Sequence, residues 1–365
     1  VAILMLVVGL IVLTGGAELL VRGASKLAVS FGVSPLVVGL TVVSFGTSAP
    51  ELVVCLQSAL SGQPDVALGN IVGSNIFNIL LILGLSAIIV PLHVSQQLVR
   101  VEVPLMIGLS ALVWLMAFNG SISRLDGLIL STGLVAYTLW AIIKSRREQG
   151  AIQAEYEAEF GQVERSSTLK SGLINGVMLL AGLILLVVGA RWFVEAAVTI
   201  SRSLGVSELI IGLTIVAAGT SLPEAATSVM AAIRGERDIA VGNAIGSNLF
   251  NIMAVLGISS LVSPIGVPVP EAALHLDLPV MVAVAVACLP IFFTGHLISR
   301  WEGILFFSYY LIYTASMVIS AAVPELERTF EYVIFGIVVP LTLITIAVGV
   351  IRSIKAKQPE GEASN

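Results

Sequence analysis

Two short polar motifs each occur twice in the chain, and most of their side chains carry an oxygen. Gly46-Thr47-Ser48-Ala49-Pro50-Glu51 returns as Gly219-Thr220-Ser221-Leu222-Pro223-Glu224. Gly73-Ser74-Asn75-Ile76-Phe77-Asn78 returns as Gly246-Ser247-Asn248-Leu249-Phe250-Asn251. Thr47 and Glu51 are four residues apart, as are Ser74 and Asn78, so on a helix each pair shares a face. The same spacing joins Thr220 to Glu224 and Ser247 to Asn251. Each motif lies inside an otherwise apolar stretch. An ionisable side chain there costs several kcal/mol and faces a cavity or a partner, so Glu51 and Glu224 read as functional rather than as packing. Pro50 and Pro223 each remove one amide donor, which frees carbonyls one turn upstream, around Gly46–Thr47 and Gly219–Thr220. Carboxylates, carbonyls and hydroxyls are hard donors that suit Na⁺ and Ca²⁺. A Ca²⁺ ion takes roughly six to eight oxygens, and two carboxylates would balance its charge. The hydroxyls have a second reading as close-packing surface between helices. Asn75 and Asn248 have one as helix-to-helix hydrogen bonds.

An internal repeat sets the positions of these motifs. A shift of 173 residues lays 39–88 on 212–261 without a gap, with 24 identities in 50 positions. The same shift carries Gly16 onto Gly189 and Gly32-Val33-Ser34 onto Gly205-Val206-Ser207. At a slightly larger shift Ser123-Arg124-Leu125-Asp126-Gly127 returns as Ser299-Arg300-Trp301-Glu302-Gly303. A membrane crossing needs about 20 apolar residues. Such runs predict eleven helices, at 2–29, 35–60, 66–90, 101–118, 125–144, 172–203, 208–233, 239–262, 278–294, 301–322 and 331–352. Five spans per half is an odd number, so the second copy enters the membrane upside down, as in many secondary transporters. The expected fold is an all-α polytopic membrane protein of two inverted five-helix repeats, ten transmembrane helices, with an extra C-terminal transmembrane helix. Its divisions are 1–144 for the first repeat, 145–170 for a polar cytoplasmic linker, 171–322 for the second repeat, and 323–365 for the accessory helix and cytoplasmic tail.

Composition agrees. Of 365 residues, 57% are hydrophobic and 11% charged, with a mean hydropathy of +1.03; soluble chains carry about 25% charged residues. This excludes a soluble globular enzyme and a secreted disulfide scaffold and makes the lipid bilayer the surroundings. The net charge of −5 is spread thinly, which leaves no nucleic-acid footprint. Lysines and arginines collect on one face of the expected topology, among them Arg22, Lys26, Lys144, Arg146, Arg234 and Arg237, while the other face holds Arg124, Arg202 and Arg328. The rich face should be cytoplasmic. That places the N-terminus outside and the C-terminus in the cytoplasm of a plasma (inner) membrane. The first apolar stretch reads as a retained span rather than a signal peptide. Nothing in the sequence sets an oligomeric state.

The paired Gly-Thr-Ser-x-Pro-Glu and Gly-Ser-Asn-x-x-Asn segments resemble the α-repeats of the Ca²⁺/cation antiporter superfamily, the sodium/calcium exchangers. The resemblance is strongest over the two 50-residue cores. It implies ten helices in two inverted halves, with the first helix of each half sliding to switch access. It implies side-chain ligands Thr47, Ser48, Glu51, Ser74 and Asn78 from the first half, and Thr220, Ser221, Glu224, Ser247 and Asn251 from the second. The carbonyls of Ser44 and Ala217 match backbone ligand positions. Archaeal members carry Asp at the position of Asn251, so this chain has one carboxylate fewer. The short 145–170 segment leaves out the calcium-binding regulatory domain of animal exchangers.

The function expected is Na⁺/Ca²⁺ antiport by alternating access, with H⁺-coupled antiport of Ca²⁺ or another divalent cation as the alternative. Gly69-Asn70 and Gly242-Asn243 lead into Gly-Ser-Asn, which favours the sodium branch. No cofactor and no enzymatic activity are expected. Cys55 and Cys288 match no metal spacing, and His93, His275 and His296 are scattered. Glu18 and Arg22 map onto Arg191 and Glu195, with the signs exchanged. They read either as an ion pair within each helix or as pairs across the two helices, Glu18 with Arg191 and Arg22 with Glu195.

Overall fold

The computed structural model describes residues 2–322 apart from 62–63, 161–168 and 294–295. The expected helix at 331–352 lies outside the described residues. The first half comprises α1 (Ala2–Phe31), α2 (Pro35–Thr47), α3 (Ala49–Leu60), α4 (64–89), β1 (Leu92–His93), α5 (Leu98–Ala117), β2 (Ser121–Ile122) and α6 (Arg124–Phe160). The second comprises α7 (Leu169–Ser203), α8 (208–219), α9 (Leu222–Ile233), α10 (Arg237–Val262), β3 (Val267–Pro268), α11 (273–293), β4 (Leu297–Ile298) and α12 (Arg300–Ala322). The two halves match element for element. Even the wide π turns recur, at Gly39–Val43 and Gly212–Val216, at Asn78–Leu83 and Asn251–Leu256, and at Leu98–Glu102 and Ala273–Asp277.

Seven described helices are long and apolar enough to cross a membrane, and the bent α2–α3 pair would make an eighth. Their outer faces carry exposed Ile3, Ile11, Leu125, Leu139, Leu173 and Ile184, an apolar surface too extensive for water. Within the bundle α4 and α10 are the most enclosed of these helices. Two boundaries differ from the sequence reading. The polar stretch after Lys144 continues α6 to Phe160, because Ala, Glu, Gln and Arg dominate it and all favour helix. The short ninth span begins earlier, at Ala273, through its π turn.

The first helices of the two halves, α1 and α7, run antiparallel. On α1 a methyl group placed on Gly9 would stand 2.7 Å from the Phe193 amide nitrogen, one on Gly16 2.7 Å from that of Leu186, and one on Gly23 2.9 Å from that of Leu179. Numbers rising on α1 thus meet numbers falling on α7, and only glycine permits so close an approach. The short strands cross between halves in the same sense. β1 pairs antiparallel with β4, with Leu92 opposite Ile298, and β2 pairs with β3, with Ser121 opposite Pro268. The two ribbons lie at opposite ends of α5 and of α11. The connection after α4 therefore meets the one after α11, not its own counterpart after α10.

Candidate cation site

The motif helices meet between the two halves. Pro50 and Pro223 stand in the first turn of α3 and α9, where a missing amide costs nothing. The residue before each helix leaves helical geometry, Ser48 at φ −83°, ψ 6° and Ser221 at φ −90°, ψ 6°. The axis bends by 45° between α2 and α3. These breaks aim the hydroxyls of Ser48 and Ser221 across the bundle.

The resulting hydrogen bonds are reciprocal. Ser48 Oγ donates to Glu224 Oε1 at 2.8 Å, and Ser221 Oγ donates to Glu51 Oε1 at 2.9 Å. Ser74 Oγ lies 3.0 Å from Ser221 Oγ. Thr47 Oγ1 donates to Asn243 Oδ1 at 3.1 Å and Thr220 Oγ1 to Asn70 Oδ1 at 3.3 Å. Asn78 Nδ2 donates to Asn248 Oδ1 at 2.9 Å, and Asn251 Nδ2 to Asn75 Oδ1 at 3.2 Å. Each of these bonds has its partner under the 173-residue shift except that of Ser74 with Ser221, whose counterpart Ser247 Oγ makes no hydrogen bond. Asn78 and Asn251 also open the π turns of α4 and α10, a distortion frequent at functional sites.

What these bonds leave over is as informative. Glu51 and Glu224 are fully buried. Among the described residues, Glu51 Oε2, Glu224 Oε2, Asn78 Oδ1, Asn251 Oδ1 and Ser247 Oγ are buried and have no hydrogen-bond partner. Buried polar atoms are nearly always paired, and here the orphans are oxygens, on residues from both halves. Each asparagine has its nitrogen tied to a neighbouring asparagine and its oxygen left free. That orientation suits a cation and rejects an anion.

Of the twelve positions singled out in the sequence, ten belong to this buried cluster. They are Ser44, Thr47, Ser48, Glu51, Ser74, Asn78, Ser221, Glu224, Ser247 and Asn251. Thr220 is half-buried and Ala217 exposed. The Ser44 carbonyl accepts the Ser48 amide at 2.9 Å. Asn75 and Asn248 make helix-to-helix bonds that fix the amides of Asn251 and Asn78. Asn70 and Asn243 were not singled out. Each fixes a motif threonine, and Asn243 Nδ2 also bonds the Glu224 carbonyl at 3.2 Å and Ser228 Oγ at 2.9 Å. Their signal was present, since Gly-Asn occurs once in each copy four residues before the motif serine. Outside the cluster, Glu18 pairs with Arg22, and Arg191 with Glu195 at 2.8 Å, each within its own helix. The pairing across helices is not formed; Glu18 instead takes Arg234 as a second partner.

The chain is similar to known proteins over most of its length. A family model described as sodium/calcium exchanger protein matches residues 1–143 and 174–319. The sodium/calcium exchanger MaX1 of Methanosarcina acetivorans is 32% identical over 339 residues, 85% of this chain and 96% of that protein. The inner membrane protein YrbG of Escherichia coli (strain K12) is 40% identical over 261 residues, 71% of this chain and 79% of that protein. A solved structure of the sodium-calcium exchanger NCX_Mj superposes with a TM-score of 0.73 at 32% identity, covering 86% of this chain and 98% of the other. A duplicated helical membrane fold, two buried carboxylates and a matching family model over both halves converge on one assignment: the chain belongs to the sodium/calcium exchanger family, membrane antiporters rather than enzymes.

Proposed function

We propose that this protein is a secondary active antiporter that exchanges Na⁺ for Ca²⁺ by alternating access. The observation that carries the reading is the set of unpartnered buried oxygens on Glu51, Asn78, Glu224, Ser247 and Asn251. Two carboxylates balance a dehydrated Ca²⁺. Thr47, Ser48, Ser74, Thr220, Ser221 and the carbonyls of Ser44 and Ala217 complete an oxygen cage from which Na⁺ and Ca²⁺ exclude each other. Coupling is then the difference in affinity between the two access states. The amides at 78 and 251 supply neutral oxygens, which bind Na⁺ without exchanging protons. Solved structures of NCX_Mj soaked with Na⁺ and Ca²⁺ or with Na⁺ and Sr²⁺ support the same class of cargo.

The scaffold of this mechanism is a pair of inverted five-span halves, 1–144 and 171–322, joined through 145–170, with 323–365 as an accessory helix and tail. Antiparallel α1 and α7 and the crossed strand pairs support the inversion. The lysine and arginine bias supports a plasma-membrane orientation with the N-terminus outside.

Uptake of radiolabelled Ca²⁺ into proteoliposomes tests the reading. Vesicles loaded with Na⁺ are expected to accumulate Ca²⁺ when diluted into Na⁺-free buffer, and vesicles holding only a pH gradient are not. Uptake driven by the proton gradient alone would replace Na⁺ by H⁺ as the coupling ion.

A further inference from the structure

The two halves match helix for helix, yet they differ in conformation where α2 meets α10 and α8 faces α4. Along the contact between α2 and α10 three glycines are jammed against backbone. A methyl group on Gly39 would stand 3.1 Å from Ile239 Cα, one on Gly242 3.0 Å from the Leu36 carbonyl oxygen, and one on Gly246 2.7 Å from Leu40 Cα. Their counterparts at the 173-residue shift are Gly212, Gly69 and Gly73, on α8 and α4. A methyl group on any of these meets nothing within 4 Å. Burial follows the same division. Gly39, Gly242, Gly246, Ser44 and Asn243 are buried, whereas Gly69, Gly212 and Ala217 are exposed and Asn70 half-buried.

The difference is not a general loosening of one half. The outer glycine contacts are equally close in both. A methyl group on Gly303 would lie 2.7 Å from the Gly84 carbonyl oxygen, and one on its counterpart Gly127 2.6 Å from that of Gly257. The serine–glutamate, threonine–asparagine and asparagine–asparagine bonds at the cation site are likewise preserved, and only the Ser74–Ser221 bond lacks its counterpart. Polar links strengthen the closed end. Glu18 pairs with Arg234, and Ser25 Oγ donates to Glu236 Oε1 at 2.7 Å, which ties α1 to the turn between α9 and α10. The residue matching Arg234 in the first half is Ser61, which carries no charge.

We infer that Gly69, Gly73 and Gly212 are the closing contacts of the opposite-facing state, in which α8 settles on α4 as α2 now lies on α10. This rests on the alternating-access reading above and deepens it. Two halves of one sequence pattern can exchange conformations, so each contact made by Gly39, Gly242 and Gly246 here is made by its counterpart there. The backbone at position 213 then passes where a side chain on Gly73 would stand. The glycine of each Gly-Ser-Asn motif is thereby required for motion between the states rather than for binding in this one.

Gly73→Val and Gly212→Val separate the two roles. Their side chains enter open space in this state, so the purified variants are expected to fold and bind Ca²⁺. Exchange in proteoliposomes is expected to fall about tenfold or more, because overpacking against backbone disfavours the opposite state. A second readout does not depend on transport. In a background lacking Cys55 and Cys288, Ala217→Cys is expected to react with a water-soluble maleimide and Ser44→Cys to be protected. Adding Gly246→Ala, which destabilises the present closed contact, should reverse that preference; adding Gly73→Val should fix it. Exchange at the wild-type rate in both valine variants, or labelling indifferent to Gly246→Ala, overturns the inference. Should neither Na⁺ nor H⁺ drive Ca²⁺ in the wild type while the labelling shifts as stated, the antiport reading fails and the gating contacts stand.

Discussion

Glu51 and Glu224 each use one carboxylate oxygen for a serine of the other half and keep one free. Replacing either by glutamine preserves shape and the serine bond but leaves a dehydrated Ca²⁺ facing one charge. Since changes in the second shell of a metal site already cost about 10–100-fold, Glu51→Gln and Glu224→Gln are each expected to cost at least about 100-fold in Ca²⁺ exchange. Purified variants that retain wild-type rates would remove that carboxylate from the site. Asn75 tests the next shell out. Its Oδ1 fixes the amide of Asn251 and its carbonyl that of Asn248. Asn75→Ala is expected to weaken Ca²⁺ binding about tenfold or more by calorimetry, and Asn75→Asp, which keeps an acceptor for Asn251, to lose less. Equal loss in both would argue against positioning through that bond. The carboxylates and the Ser and Asn pairs were legible from spacing alone, because four residues is one helical turn. Which asparagine keeps a free oxygen and which one orients it was not, because that depends on how two helices 173 residues apart meet.

At the scale of the helix, α1 and α7 approach backbone to backbone at their glycines. Gly16 sits at that contact and its neighbour Gly15 faces outward with nothing within 4 Å. Gly16→Ala forces α1 and α7 apart and is expected to cost about 1–3 kcal/mol. Gly15→Ala gains helix propensity of about 0.5–1 kcal/mol. Thermal midpoints in detergent should therefore fall for Gly16→Ala and hold or rise for Gly15→Ala; the same change in both would mean the close approach is not limiting. Span positions were largely legible because long apolar runs have one use in a membrane. The end of α6 was less so, since a polar segment of helix formers reads equally as linker or helix. The π turns that begin at Asn78 and Asn251 have no sequence signal beyond their place in the motif.

For the molecule as a whole, the repeat was legible but the state was not. Two segments built on one motif pattern contain no record of which one is closed, and that asymmetry is seen only in the packing. Inversion, by contrast, leaves a trace that labelling can follow. Gln96 precedes α5 and Glu271, its counterpart, precedes α11, and both are exposed. Copies inserted in the same direction would present them on one side of the membrane. Here β1 beside Gln96 pairs with β4, and β3 beside Glu271 pairs with β2, so the two positions belong to opposite ends of the bundle. In the orientation proposed from the lysine and arginine bias, the β1–β4 end faces the cytoplasm. With Cys55 and Cys288 removed, Glu271→Cys is expected to react with a membrane-impermeant maleimide on intact cells, and Gln96→Cys only after permeabilisation. Labelling of both from one side would contradict the inversion. Labelling of Gln96→Cys alone from outside would keep the inversion, reverse the orientation, and place the open contact between α4 and α8 on the cytoplasmic face.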